Sequence, residues 1–234
     1  MQNCGTVLLL ALLGSQAGAL CKEPRPRLVC AEYFHSKAVV IARLAGVTAV
    51  KDSYDDVAGT YYSMIVEQTL GGQIPRLFRI YEGNDSGRAR FDWKAGDSYL
   101  LFLLGENLNG GWVIDGCGNS GPLEQRQTIL QQVKAIDSTS DRALIQGSVG
   151  GISIGFPLAG IRIEARGPGG VSNTKTGSDG RFELHVAPGK YKVQVFDPGK
   201  TFMPADITYE DPNALVLETG SCAQVQFVES SQQH

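Results

Sequence analysis

Three histidines and one acidic cluster are the groups from which this chain would have to build a catalytic or metal centre. His35 sits in Glu32-Tyr33-Phe34-His35-Ser36 on the approach to a strand, His185 lies within Phe182 to Val186, and His234 is the final residue. None belongs to a metal-spaced pair, and neither His-Glu-x-x-His nor His-x-x-Glu occurs. An imidazole without an orienting partner is more often structural than catalytic, so the chain reads as a non-enzyme that needs no cofactor and no metal. Asp52, Asp55 and Asp56 around Tyr54 supply the oxygen ligands that Ca²⁺ selects, yet the Gly and Glu of an EF-hand loop are missing, which favours a solvated acidic turn. Gly167-Pro168-Gly169-Gly170 has no phosphate-loop Lys or Ser and no following helix, so it reads as a hairpin loop.

Two further groups bear on binding. Cys21, Lys22, Arg25 and Arg27, interleaved with Pro24 and Pro26, form a basic extended segment suited to lying across an acidic groove, or to serving as a tether. Tyr61, Tyr62, Trp93 and Trp112 would either line a binding face or, as aromatics usually do, enter a core. With 21 basic against 24 acidic residues the net charge is −3, which gives no electrostatic pull toward nucleic acid or an anionic membrane.

The compartment is read from the N-terminus. Val7 to Leu13 is a short apolar run and Ala17-Gly18-Ala19 supplies small residues for signal peptidase, so 1-19 is expected to be a signal peptide and the protein to be secreted or extracytoplasmic. The run is too short to span a bilayer, and no later stretch reaches that length. Removing it leaves Cys21, Cys30, Cys117 and Cys222 in an oxidising compartment, where at least one disulfide is expected. Three connectivities remain open. A Cys30–Cys117 bridge, for example, would contribute about 4 kcal/mol in the chain-entropy model.

The elements that must position these groups are strands. Ala38 to Ala42, Tyr61 to Leu70, Arg76 to Tyr81 and Ser98 to Leu104 are short runs rich in β-branched and aromatic residues between turn clusters. Continuous apolarity from Tyr99 to Leu104 implies burial on both faces. Ser120 and Pro122 suit a helix start, and Leu123, Ile129, Leu130, Val133 and Ile136 then recur at helical spacing over about four turns. Polar residues 138-141 form a linker. Beyond it, strands recur at regular spacing, with Asp179-Gly180 expected to turn a tight hairpin and Pro188-Gly189 the next turn. The fold class is therefore all-β, with a first domain closed by one helix and a seven-stranded antiparallel sandwich after it.

Gln146-Gly147-Ser148-Val149, Pro157 to Ile163, Thr176-Gly177-Ser178-Asp179-Gly180-Arg181-Phe182 and Ala187-Pro188-Gly189-Lys190-Tyr191 resemble, in order, the motifs of the carboxypeptidase regulatory-like domain, a transthyretin-like or CnaB-like sandwich covering 142-230. That resemblance implies an interaction module without catalytic residues. Cys30 leading into Ala38 to Leu44, Trp93 to Leu101, and Cys117-Gly118-Asn119-Ser120-Gly121-Pro122-Leu123 resemble a bacterial TIMP-like domain, the netrin-type OB barrel of tissue inhibitors of metalloproteinases, over 20-137. It implies that the N-terminal edge meets a protease. In animal inhibitors a Cys-x-Cys terminus chelates the protease zinc, whereas here Cys21 precedes Lys22 and Glu23, and cleavage after Ala19 leaves Leu20 in front of it.

The reading is thus a secreted binding protein whose partner is an extracellular protein, with a metalloprotease as the named candidate, and 231-234 a tail. The alternatives are an envelope structural module without a ligand and a carbohydrate-binding accessory protein.

Overall fold

The computed structural model describes residues 27–54, 56–84, 91–108, 110–136, 140–151, 156–205 and 210–230. The expected signal peptide, Cys21, Lys22, Arg25, Asp55, His234, the tail and residues 138 and 139 of the expected linker lie outside them. Among the described residues the chain is mostly strand, as its Val, Ile and aromatic runs dictate.

Six strands build the first unit: β1 (Ala38–Lys51), β2 (Val57–Gly72), β3 (Leu77–Gly83), β4 (Ser98–Glu106), β5 (Trp112–Ile114) and β6 (Gly121–Pro122). β1 pairs with β2, β2 with β3, β3 with β5, β5 with β4, and β4 again with β1, so five strands pair in a closed ring. Closure leaves few free backbone donors and acceptors along these strands. Val40, Ala42, Leu44, Met64, Ile80, Leu101 and Leu103 fill the interior. On the outer side Val39, Ile41, Leu100 and Phe102 pack beneath two helices, α1 (Val29–His35) and α2 (Gln127–Lys134), through Val29, Leu130 and Val133. Apolar partners on both faces are the reason that β4 reads as one unbroken apolar run from Tyr99 to Leu103.

The helices depart from expectation in two places. Residues 29–35, read from sequence as the approach to a strand, form α1, too short for a helical period to register in the sequence. It stops at Ser36, whose N–H and Oγ–H both donate to the Glu32 carbonyl at 2.9 and 2.7 Å. The expected four-turn helix from Ser120 is instead a 3₁₀ turn at Leu123–Gln125, a break at Arg126 (φ −112°, ψ 20°), and the eight-residue α2. Ser120 does not cap it. Its Oγ accepts the Phe102 N–H at 2.9 Å, and Gly121–Pro122 pairs with Tyr99 and Leu100 as β6.

Eight strands follow: β7 (Ala143–Gly150), β8 (Arg162–Gly167), β9 (Gly170–Lys175), β10 (Arg181–Val186), β11 (Gly189–Phe196), β12 (Phe202–Pro204), β13 (Leu215–Leu217) and β14 (Cys222–Glu229). They form two four-stranded sheets, ordered β10-β7-β14-β12 and β13-β11-β8-β9. Ile145, Val149, Ile163, Leu215 and Val225 are wholly buried in the core that these strands share, each worth about 1.5–3 kcal/mol of transfer free energy. Eight strands replace the expected seven, because the three-residue β12 is too short to announce itself, and β14 pairs with β7 in parallel rather than antiparallel. Pro168-Gly169 turns the β8–β9 hairpin as expected. Asp179-Gly180 does turn the chain, with Gly180 at φ +72° and the Gly180 N–H donating to the Gly177 carbonyl at 2.9 Å. It carries the chain from β9 in one sheet to β10 in the other, so no hairpin forms there.

Candidate functional site

The seam between the two units holds several polar links and a covalent one. Arg27 Nε donates to Asp115 Oδ2 at 3.0 Å with both side chains largely buried. Asn119 Nδ2 donates to the Arg27 carbonyl at 3.0 Å, and the Leu28 N–H donates to Gln224 Oε1 of β14 at 3.0 Å. Cys30 is then joined to Cys222 by a disulfide. Four successive links therefore fix residues 27–30 against both units. The bridge differs from the Cys30–Cys117 example considered from sequence, because α1 packs on β14 and so brings Cys222 to within 6.0 Å at Cα. Cys117 is disulfide-bonded as well.

Behind this segment lies Glu32, wholly buried on α1. Its Oε2 accepts from the Asn119 N–H at 2.8 Å and Asn119 Nδ2 at 2.6 Å, while Oε1 has no hydrogen-bond partner. Burial lifts its carboxyl to about 7, outweighing the two bonds from Asn119, with Asp115 adding repulsion and Arg27 opposing it. A Cβ at Gly118 would stand 2.1 Å from Glu32 Oε1, so only glycine lets this turn close over the carboxyl. Glu32, Asp115 and Asn119 were not singled out from sequence. The signals available were one acidic residue inside the apolar Val29 to Phe34 stretch, and a polar residue two positions to either side of Cys117.

The residues that were singled out are scattered. Arg27 belongs to the seam; Cys21, Lys22 and Arg25 lie outside the described residues. His35 Nδ1 is 3.6 Å from Glu210 Oε1, a contact that also crosses between the units, and His185 is exposed on β10. Asp52 Oδ1 accepts the Tyr54 and Asp56 N–H groups at 2.8 and 3.1 Å, so this carboxylate shapes the β1–β2 turn. Among the described residues no group of three or more His, Cys, Asp or Glu is placed to hold a metal ion.

Tyr62 stacks on Trp93 at 4.6 Å between ring centroids, and Trp93 contacts Phe91 and Tyr99 at 4.8 and 4.7 Å. Trp93 Nε1 donates to buried Glu82 at 3.1 Å. Tyr62, Trp93 and Trp112 are half-buried against the ring's interior core, while Tyr61 stands beside Tyr81 with the Arg79 guanidinium 4.6 Å over its ring. The stretch Gly151-Ile152-Ser153-Ile154-Gly155 matches the Gly-x-Ser-x-Gly pattern of a nucleophile elbow. Such an elbow needs a strand-to-helix turn. Here the flanking Gly150 and Pro157 bridge antiparallel, β8 is the next element, and residues 152–155 lie outside those described.

No family model matches the chain. Among solved structures it is similar to the dioxygenase domain of a dioxygenase carbohydrate-binding protein fusion from Streptomyces sp. SirexAA-E, at 15% identity and TM-score 0.23 over 39% of this chain and 81% of that one. It is similar also to the Bacillus anthracis TIE protein, at 12% identity and TM-score 0.29 over 83% of this chain and 31% of that one. A third similarity is to the major pilin protein T3.2 of Streptococcus pyogenes, at 8% identity and TM-score 0.17 over 83% and 90%. At these scores none carries a functional argument. Among the described residues no helix is long and apolar enough to cross a membrane.

Proposed function

We propose that the chain is an exported, non-catalytic binding protein that presents its N-terminal edge to an extracellular protein, with a secreted metalloprotease as the first candidate. The observation that carries this reading is the fixing of residues 27–30 by the Arg27–Asp115 pair, the Asn119 and Gln224 hydrogen bonds and the Cys30–Cys222 disulfide. A segment emerging from so constrained an anchor surrenders less conformational entropy on binding than one emerging from a free tail. The edge in question is the one that the resemblance to metalloproteinase inhibitors places against the protease. Export is supported by the disulfides, which persist in oxidising compartments, together with the leader read from residues 1-19.

The test pairs two measurements on the secreted chain. Mass spectrometry fixes its first residue, and a fluorogenic-peptide assay measures inhibition of a secreted zinc metalloprotease. A chain beginning at Cys21 is expected to inhibit by presenting its terminal amine to the zinc; one beginning at Leu20 is expected to bind without chelating. Failure to retain any secreted protein in a pull-down, from either terminus, would overturn the binding reading in favour of a structural module.

A further inference from the structure

A cleft of about 260 Å³ opens where the first unit overhangs the β10-β7-β14-β12 sheet. Its floor follows from strand register. Ala223, Val225 and Phe227 point into the sandwich core, so by the period of two Gln224 and Gln226 face the other way, toward the first unit. Parallel pairing sets Gln224 beside Gln146 and Gln226 beside Ser148, and antiparallel pairing sets Glu183 beside Gln146 and Arg181 beside Ser148. Two rows thus cross three strands, Glu183–Gln146–Gln224 and Arg181–Ser148–Gln226. Over them stand Val29 and the α2 residues Ile129 and Gln132.

The outer face of a sheet normally meets water, and its polar side chains need no protein partners. Here the overhang buries Gln224, Gln226 and Ser148 to 7, 2 and 4% exposure. Gln224 is satisfied by the Leu28 N–H, and Gln146 Nε2 donates to Glu183. Gln226 is not satisfied: its Oε1 is buried and without a hydrogen-bond partner, and the residue lines the cleft. A buried acceptor left open is rare enough to require a cause, and a ligand that donates to it is a direct one.

We infer that this cleft is a binding site for a neutral saccharide of one or two rings, with the Gln226 carboxamide at its centre. Carboxamides and hydroxyls each donate and accept, which matches the paired donor and acceptor character of sugar hydroxyls. Val29 and Ile129 offer aliphatic surface for the C–H face of a ring. Arg181 stands at the rim, its side chain 56% exposed and its Nε paired with Asp179 at 3.7 Å, which leaves other guanidinium N–H groups to donate to an outer hydroxyl. The volume is near the lower bound of small-molecule pockets, which limits the occupant to a small one. A peptide would instead call for side-chain pockets.

The experiment is calorimetric titration of the full secreted chain with glucose, galactose, N-acetylglucosamine, cellobiose, maltose and chitobiose, beside a random-peptide display panel. One saccharide is expected to saturate the protein at one site. Gln226→Leu and the half-exposed Gln146→Ala are each expected to weaken it by about tenfold or more, as when a site built to hydrogen-bond a hydroxyl loses its partner. Trp93→Phe, remote from the cleft, is expected to bind normally. Gln146→Ala keeps the test decisive if Gln226→Leu disturbs folding. Absence of saccharide binding, binding indifferent to both Gln variants, or capture of peptides with no saccharide bound would each overturn the assignment. Protease inhibition does not enter these readouts, so the two readings fail separately.

Discussion

Cys30 on α1 and Cys222 on β14 lie 192 residues apart in sequence and are joined by a disulfide that ties the first strand unit to the second. In the chain-entropy model a loop of that length contributes about 5 kcal/mol, at the upper end of measured values. Replacing both cysteines by alanine is expected to remove roughly 2–5 kcal/mol of unfolding free energy. Urea titration of the oxidised protein, the reduced protein and the double variant checks this. Equal midpoints for all three would show that packing of α1 on β14 alone holds the units together.

Glu32 makes stability depend on pH in an unusual direction. Its carboxyl is raised from the ordinary 4.5 to about 7, so the folded state holds a proton that the unfolded chain releases. Stability from this group is fully present below pH 4.5 and is lost as pH rises through 7, a change of roughly 3 kcal/mol. Glu32→Gln keeps an acceptor for Asn119 and removes the ionisation. The difference between wild type and variant is therefore expected to favour the variant progressively from pH 5 to pH 8. Denaturant titrations at those two pH values measure it, and a constant difference would disprove the assignment.

Gly118 is coupled to the same carboxyl. A methyl group there would meet Glu32 Oε1 at 2.1 Å, and Glu32 cannot swing aside while Asn119 holds its other oxygen. Gly118→Ala is expected to cost about 1–3 kcal/mol through overpacking. In the Glu32→Ala background the methyl has room, so the cost is expected to fall below that in a double-mutant cycle. Additive effects would mean that the turn fails for another reason.

How far the chain could be read in advance depended on how local each signal was. β10 was legible to the residue, because Phe182, Leu184 and Val186 alternate with exposed Arg181, Glu183 and His185. The β8–β9 hairpin was legible from Gly167-Pro168-Gly169-Gly170. α1 was not, since seven residues carry too little periodicity and it is buried against β1, β4, α2 and β14 together. Sequence distance hid the site as well, with Asp115 and Asn119 standing 88 and 92 positions from Arg27 and Gln224 196 from Leu28. Arg27 was noticed for its charge, but Asp115, Asn119 and Gln224 become its neighbours or those of Leu28 only once both units have closed. Asp179-Gly180 shows the converse limit: the turn residue was local and correct, whereas its destination in the opposite sheet was set by tertiary packing.

Trp93 organises the aromatic group beside the ring's interior core, stacked on Tyr62, edge-on to Phe91 and bonded through Nε1 to buried Glu82. Phenylalanine can keep the ring contacts but not the N–H bond, so Trp93→Phe is expected to cost about 1–2 kcal/mol. Alanine removes both and is expected to cost about 2–4 kcal/mol, the low side of fully buried Trp truncations because this ring is only half-buried. Urea unfolding followed through the fluorescence of the remaining Trp112 gives both values. If Trp93→Ala is as stable as wild type, the cluster is not part of the ring's core and is left open as a surface for a ligand, so the same variant separates a structural role for these aromatics from a binding one.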